Sequence, residues 1–289
     1  MLALSGLTDV FKVIGILYLL LLVGAFALAI WLGYKKRWVW MTIVLVVFGY
    51  YPVKVNIEGY QRKQIYEAQK ALFDKRCENA GVKIYKTVEN VEGILLLKVR
   101  PKREEKDMSD PMWPGAPFVH EYSEEQYITS FLFFRSDTTV AQKVTENPGY
   151  KFVDVIEADG KRYRYTATYK ARTDDYYIKL SWIDYEIKKE LTTEPAPRYA
   201  VTYEDDLNPA DRAQWVAGST AKVLDMQTNE VLGTFTRYAV EYGQGGNTNQ
   251  RTPWALAYKC GESGGKNAAI PTRHFVDQIL KPTPIQATN

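Results

Sequence analysis

The sequence predicts an α+β protein: an N-terminal two-helix transmembrane hairpin, then a soluble domain built on a mainly antiparallel β-sheet with a few helices. Three features predict it. Two uncharged apolar runs, residues 13–33 and 38–53, lie near the start of the 289-residue chain. Beyond residue 80 the pattern turns to short β-prone stretches rich in tyrosine, of which the chain has 21. Between two of those stretches stands Asp159-Gly160, a dipeptide suited to a hairpin turn.

The first run spans about 30 Å at ~1.5 Å per residue, the thickness of a bilayer core. The second reaches only about 24 Å. However, Trp38, Trp40, Tyr50 and Tyr51 sit at its ends, where amphipathic rings favour the headgroup level. Pro52 is expected to stop or kink that helix. Ala25-Phe26-Ala27 and Ala27-Leu28-Ala29 mimic a signal-peptide cleavage site, yet the apolar run continues past them and a second follows closely. An uncleaved hairpin is therefore the better reading. Its tip, Tyr34-Lys35-Lys36-Arg37, is cationic, and short loops rich in Lys and Arg stay in the cytoplasm. Lys54, Arg62 and Lys63 pull the other way, but they are dispersed within a long domain, where the rule weakens. The expected arrangement is a hairpin at 1–55 in a bacterial inner membrane and a soluble domain at 56–289 in the periplasm.

Residues 58–80 read as a linking helix, with Ile65, Ala68, Leu72 and Phe73 on one face and Gly81 as its stop. Strands are expected at 82–87 and 93–100, followed by an irregular Pro- and Gly-containing loop over 102–118. Ser123 and Gln126 have capping-box spacing for a helix that reaches about residue 134. A hairpin pairs 150–158 with 161–171 through a type I′ turn. Further strands are expected at 176–187, 199–204, 221–226 and 231–242. A short helix follows Asn208-Pro209, and another covers 272–280.

The chemistry is sparse. A net charge of +3 gives no case for nucleic-acid binding, and two cysteines with two histidines argue against zinc or iron–sulfur sites. In an oxidising compartment Cys77 and Cys260 could pair, worth about 4–5 kcal/mol in the chain-entropy model; otherwise they are two unrelated thiols. Gly261-Glu262-Ser263-Gly264-Gly265 matches G-x-S-x-G and is similar to the G-D-S-G-G turn of trypsin-like proteases. His120 lies in a stretch unlike that family's, though, and no carboxylate stands between Ser263 and His274 for an α/β-hydrolase order. The match reads as coincidence, and no catalytic residue, cofactor or metal is expected. Arg162 and Arg164, on one face of their strand, read either as a solvated row or as part of an interaction surface. Asp205, Asp206 and Asp211 lack the spacing of a cation loop and suit helix capping better.

Four segments carry a resemblance: FDKRCENAGVKIYKTVENVEGILLLKVRP (residues 73–101), KRYRYTA (161–167), RYAVTYED (198–205) and VLDMQTNEV (223–231). Together they resemble uncharacterised proteobacterial proteins anchored in the inner membrane, which look like accessory proteins encoded near secreted antibacterial effectors, type VI phospholipase-like toxins among them. The resemblance implies an immunity role and supplies no functional residues. Two functions follow as expectations. In one, an anchored periplasmic domain binds a protein partner, a secreted toxin, through a patch containing Trp113, Trp182 and Trp215 with Arg162 and Arg164. In the other, it is a sensor or effector whose soluble domain binds a small molecule and whose hairpin perturbs the membrane.

Overall fold

The computed structural model describes residues 2–132, 149–170, 184–246, 252–265 and 267–283. The chain falls into two compact units, Met1–Ala68 and Gln69–Asn289.

In the first unit, α1 (Leu2–Tyr34) is followed after a short turn by α2 (Trp38–Cys77). Both are long and apolar enough to cross a membrane. Their large apolar side chains face outward, Leu19 61% and Val47 62% exposed. In water each such side chain would forfeit roughly 1.5–3 kcal/mol of burial. Ala25 and Ala29, one turn apart, are buried with Leu32, a Cβ on Gly33 would touch Met41, and the Tyr18 and Tyr51 rings meet edge to face. The turn closes α1 as a Schellman motif. Lys36 takes the left-handed conformation (φ 56°), its N–H donating to the Gly33 carbonyl and that of Arg37 to Leu32.

Pro52 neither stops α2 nor separates it from the expected linking helix. Proline removes one backbone donor, yet the helix runs unbroken across it from Trp38 to Cys77. The Asn56 amide caps the adjoining carbonyl of Pro52 at 2.8 Å. One helix therefore replaces the two read from the sequence.

The second unit is built on a nine-stranded sheet, ordered β1-β9-β8-β7-β3-β4-β5-β6, with β10 also on β9. Its strands are β1 (Gly81–Ile84), β3 (Gly93–Leu96), β4 (Phe152–Ile156), β5 (Arg162–Lys170), β6 (Asp184–Leu191), β7 (Tyr199–Asp206), β8 (Val216–Asp225), β9 (Glu230–Val240) and β10 (Tyr258–Cys260). Pairing is antiparallel except at β3, which runs parallel to both β4 and β7. All four β3 residues are buried, so the strand reads as an unbroken apolar run without alternation. Two short strands, β2 (Val88–Val91) and β11 (Leu280–Pro282), pair in parallel as a separate ladder. The strand expected over 82–87 thus ends at Ile84 in β1, β2 over Val88–Val91 was not expected, and β8 begins five positions before its expected start.

The β4–β5 hairpin forms in the expected place with a different turn. The Glu157 N–H donates to the Lys161 carbonyl at 3.0 Å and the Gly160 N–H to the Glu157 carbonyl at 2.9 Å. Only Gly160 of the loop takes positive φ (75°), so the connection is a type I turn closed by a glycine bulge rather than type I′. The Asp159 carboxylate holds it by accepting from the Lys161 N–H and the Tyr163 hydroxyl.

Helices α3 (Glu124–Leu132) and α5 (Pro271–Ile279) cover one sheet face together with the Ala116–Phe118 turn. Phe118, Tyr127, Phe131, Phe275 and Ile279 pack there against Ile94, Val153, Val201, Ala221 and Phe235. α3 starts where the capping-box spacing puts it, with Glu124 at φ 50° and its N–H on the Arg100 carbonyl. α4 (Pro209–Ala213) starts after Asn208, whose side chain caps the Ala210 N–H at 2.9 Å.

Candidate functional site

The second unit opens with the last nine residues of α2, and those residues are locked to the sheet. Phe73 packs with Val216 and Val240. The buried Gln69 amide donates to the Gln214 and Glu241 carbonyls at 2.7 and 3.3 Å. Arg76 forks onto Asp211 at 2.8 and 3.1 Å, and that hydrogen-bonded partner raises the guanidinium pKa. The last residue, Cys77, is disulfide-bonded to Cys260 at the end of β10, with Cα atoms 5.8 Å apart. The pairing follows from topology, since β1 and β10 lie end to end along the same edge of β9. Gly261 makes the close approach possible: at φ 83°, a Cβ there would meet the Thr236 carbonyl at 2.3 Å.

Beside this staple, loops at one end of the sheet gather tryptophans. Trp254 is fully buried and donates its Nε1–H to the Asp110 carbonyl at 2.7 Å. Trp215 lies against it with ring centroids 5.3 Å apart, and Trp113 joins the same cluster over Ala116, Ala217 and Ala239. Arg212, also buried, ties the loops together by donating to the carbonyls of Asp206, Pro111 and Trp113. Burial lowers its pKa, with the surrounding aspartates opposing that shift. On this rigid base the neighbouring apolar side chains Met112, Leu207 and Leu256 (63% exposed) stand in solvent, whereas Tyr258, opposite Val240, lies on the other sheet face with its ring 5.4 Å from that of Tyr242. The arrangement offers a preorganised apolar surface with half-buried aromatic anchors, suited to contact with another macromolecule.

Two of the three expected tryptophans, Trp113 and Trp215, therefore come together, and Trp182 lies outside the described residues, as does the expected strand up to residue 183. Trp254 was missed. Its signal was a tryptophan directly after Pro253, at the start of a tight turn. Arg162 and Arg164 are on the sheet, away from that cluster. Arg164 forks onto the fully buried Asp154 at 2.7 and 3.0 Å and stacks 3.7 Å over the Phe152 ring. Arg162 lies 3.5 Å from the same carboxylate and donates to the Glu194 carbonyl. Both guanidinium groups thus neutralise a buried acid.

Ser263 is buried in the loop after β10, and α5 begins eight positions later. Gln278 donates to its backbone carbonyl at 2.6 Å. A nucleophile elbow needs the strand and the helix to adjoin the serine directly, and this loop does not supply that setting. The three aspartates do separate structural work: Asp211 binds Arg76, Asp206 accepts from the Asn208 N–H at 3.0 Å, and Asp205 leans toward Arg100 at 3.5 Å. Among the described residues no cluster of His, Cys, Asp or Glu has the form of a metal site.

Comparison with protein-family models, curated proteins and solved structures finds no match to this chain. The geometry alone defines the class: a mixed α+β unit stapled by a disulfide to the end of a membrane-length helix.

Proposed function

We propose that this is a membrane-anchored binding protein of the bacterial inner membrane. α1 and α2 tether it, the cationic tip Lys35-Lys36-Arg37 stays in the cytoplasm, and the soluble unit works in the periplasm. There it engages a protein partner through the tryptophan-supported end. The exposed apolar side chains of Met112, Leu207 and Leu256 beside the buried Trp254 cluster carry this reading. The disulfide supports the compartment, since such bonds persist where thiols oxidise. The resemblance to proteins encoded beside secreted antibacterial effectors suggests a toxin as the partner and immunity as the outcome.

Co-purification of the full-length chain in detergent, followed by mass spectrometry, tests the proposal. A stoichiometric protein partner, lost in Leu256→Asp and Met112→Asp variants that still fold, supports it. A retained metabolite with no protein partner would favour the small-molecule reading instead.

A further inference from the structure

A second cluster lies on the helix-covered sheet face, between the aromatic core and the tryptophan end. Arg237 on β9 stands directly opposite Ser219 on β8. Lys259 on β10 stands opposite Ala239, two positions along β9 from Arg237, so alternation puts all these side chains on one face. Arg237 lies 5.8 Å from the Phe118 ring, at the start of the segment that carries His120. Arg103 fixes that segment by donating to the Val119 and Glu121 carbonyls on either side of His120.

The cluster is short of negative charge. Glu121 is committed to Arg100 Nε and the Thr272 N–H, both at 2.9 Å, and Asp205 leans toward Arg100. Glu262, exposed in the loop after Gly261, is the other acid that faces Arg237. Two buried polar atoms have no partner at the centre: Arg237 Nε and the hydroxyl of Ser219, which is only 2% exposed. A buried guanidinium donor left open beside a buried hydroxyl costs free energy unless something accepts from both.

We propose that Arg237, Lys259, Arg103 and His120, over the Ser219 hydroxyl, form a binding site for a phosphate-type oxyanion. Such an ion supplies several acceptor oxygens and the charge that the cluster lacks. The electrostatics agree: burial, and then Arg237 beside it, pull the Lys259 ammonium down to about 8, and burial lowers the pKa of Arg237 as well. Burial and the neighbouring Lys259 likewise lower His120. A bound dianion relieves all three. This site is separate from the apolar rim and does not depend on the partner proposed above.

Calorimetric titration of inorganic phosphate into the full-length protein in phosphatidylcholine nanodiscs, at constant ionic strength, tests the site. Saturable one-to-one binding is expected, weakened on the order of tenfold or more by Arg237→Gln and by Lys259→Met. Lys259→Arg should retain it, as should the control Lys188→Gln on β6. Binding to the wild type should fall as pH rises past about 8, where Lys259 loses its proton. Phosphatidylglycerol discs separate the sources of the oxyanion. A lower apparent phosphate affinity there assigns the site to a lipid headgroup, and an unchanged one assigns it to soluble phosphate. Absence of saturable binding, or an equal loss in Lys188→Gln, would overturn the proposal by leaving only water or diffuse charge at the cluster.

Discussion

Arg100 Nε donates to Glu121 Oε2 at 2.9 Å within the core, both side chains almost wholly buried. The guanidinium lies between two rings, 4.1 Å from the Phe118 centroid and 3.8 Å from that of Tyr203. Glu121 also accepts from the Thr272 N–H and so caps the start of α5. Arg100→Met leaves that carboxylate buried without its cation and should cost about 3–5 kcal/mol in urea unfolding. Glu121→Gln keeps an acceptor for Thr272 and should cost less than Glu121→Ala, a ranking that separates the cap from the ion pair.

The bond between Cys77 and Cys260 closes a loop with a sequence separation of 183. In the chain-entropy model its loss costs on the order of 5 kcal/mol. Cys77→Ser, Cys260→Ser and the double variant should therefore lose similar stability, and reductant should shift the wild type's melting temperature but not theirs.

Lys259 gives the second unit an alkaline signature. Below about 8 both folded and unfolded states hold its proton, and the folded state bears the cost of a partly buried charge. Between about 8 and the ordinary lysine value near 10.4, the unfolded chain binds the extra proton, so stability rises with pH. Lys259→Met should flatten that limb and melt higher than the wild type at pH 7. Identical pH profiles for the two proteins would refute the assignment.

Asp225 acts at the acid end. Its hydrogen-bonded partner Arg198 holds the carboxyl down to about 2, with two donations to Oδ2 at 3.0 and 2.7 Å. The resulting stability is present above the ordinary aspartate value near 3.9 and is lost as pH falls through about 2. Asp225→Asn should remove that acid limb in thermal melts between pH 4 and 2.

Much of this architecture can be read from local pattern. The β4–β5 hairpin shows in its alternation, and α4 in Asn208-Pro209. The Cys77–Cys260 pair shows in cysteine count and compartment. What escapes the sequence is set by tertiary contact. α2 continues through Pro52, where proline and weak helix formers on both sides predict a break. The first half of β8, Val216-Ala-Gly-Ser-Thr, consists of small residues without alternation, yet pairing on both sides makes it a central strand. Arg162 and Arg164 look solvated by alternation, and only the register that puts Asp154 opposite Arg164 reveals their partner. Trp113 and Trp215 stand far apart in the chain and come together only in the folded cluster around Trp254.

The hairpin tip offers a further test of orientation. Replacing Lys35, Lys36 and Arg37 with glutamine leaves Lys12, Lys54, Arg62 and Lys63 as the nearest cations, all at the other ends of the spans. The positive-inside rule then favours the opposite orientation. A C-terminal alkaline phosphatase fusion should lose activity in this variant, and a GFP fusion should gain fluorescence.

Quenching living cells with a membrane-permeant alkylating agent and mapping the unreduced peptides by mass spectrometry tests the central claim most directly. The account predicts a linked peptide pair joining Cys77 to Cys260, with neither thiol alkylated. Full alkylation of both cysteines in the native full-length chain would contradict it and place the second unit where thiols stay reduced.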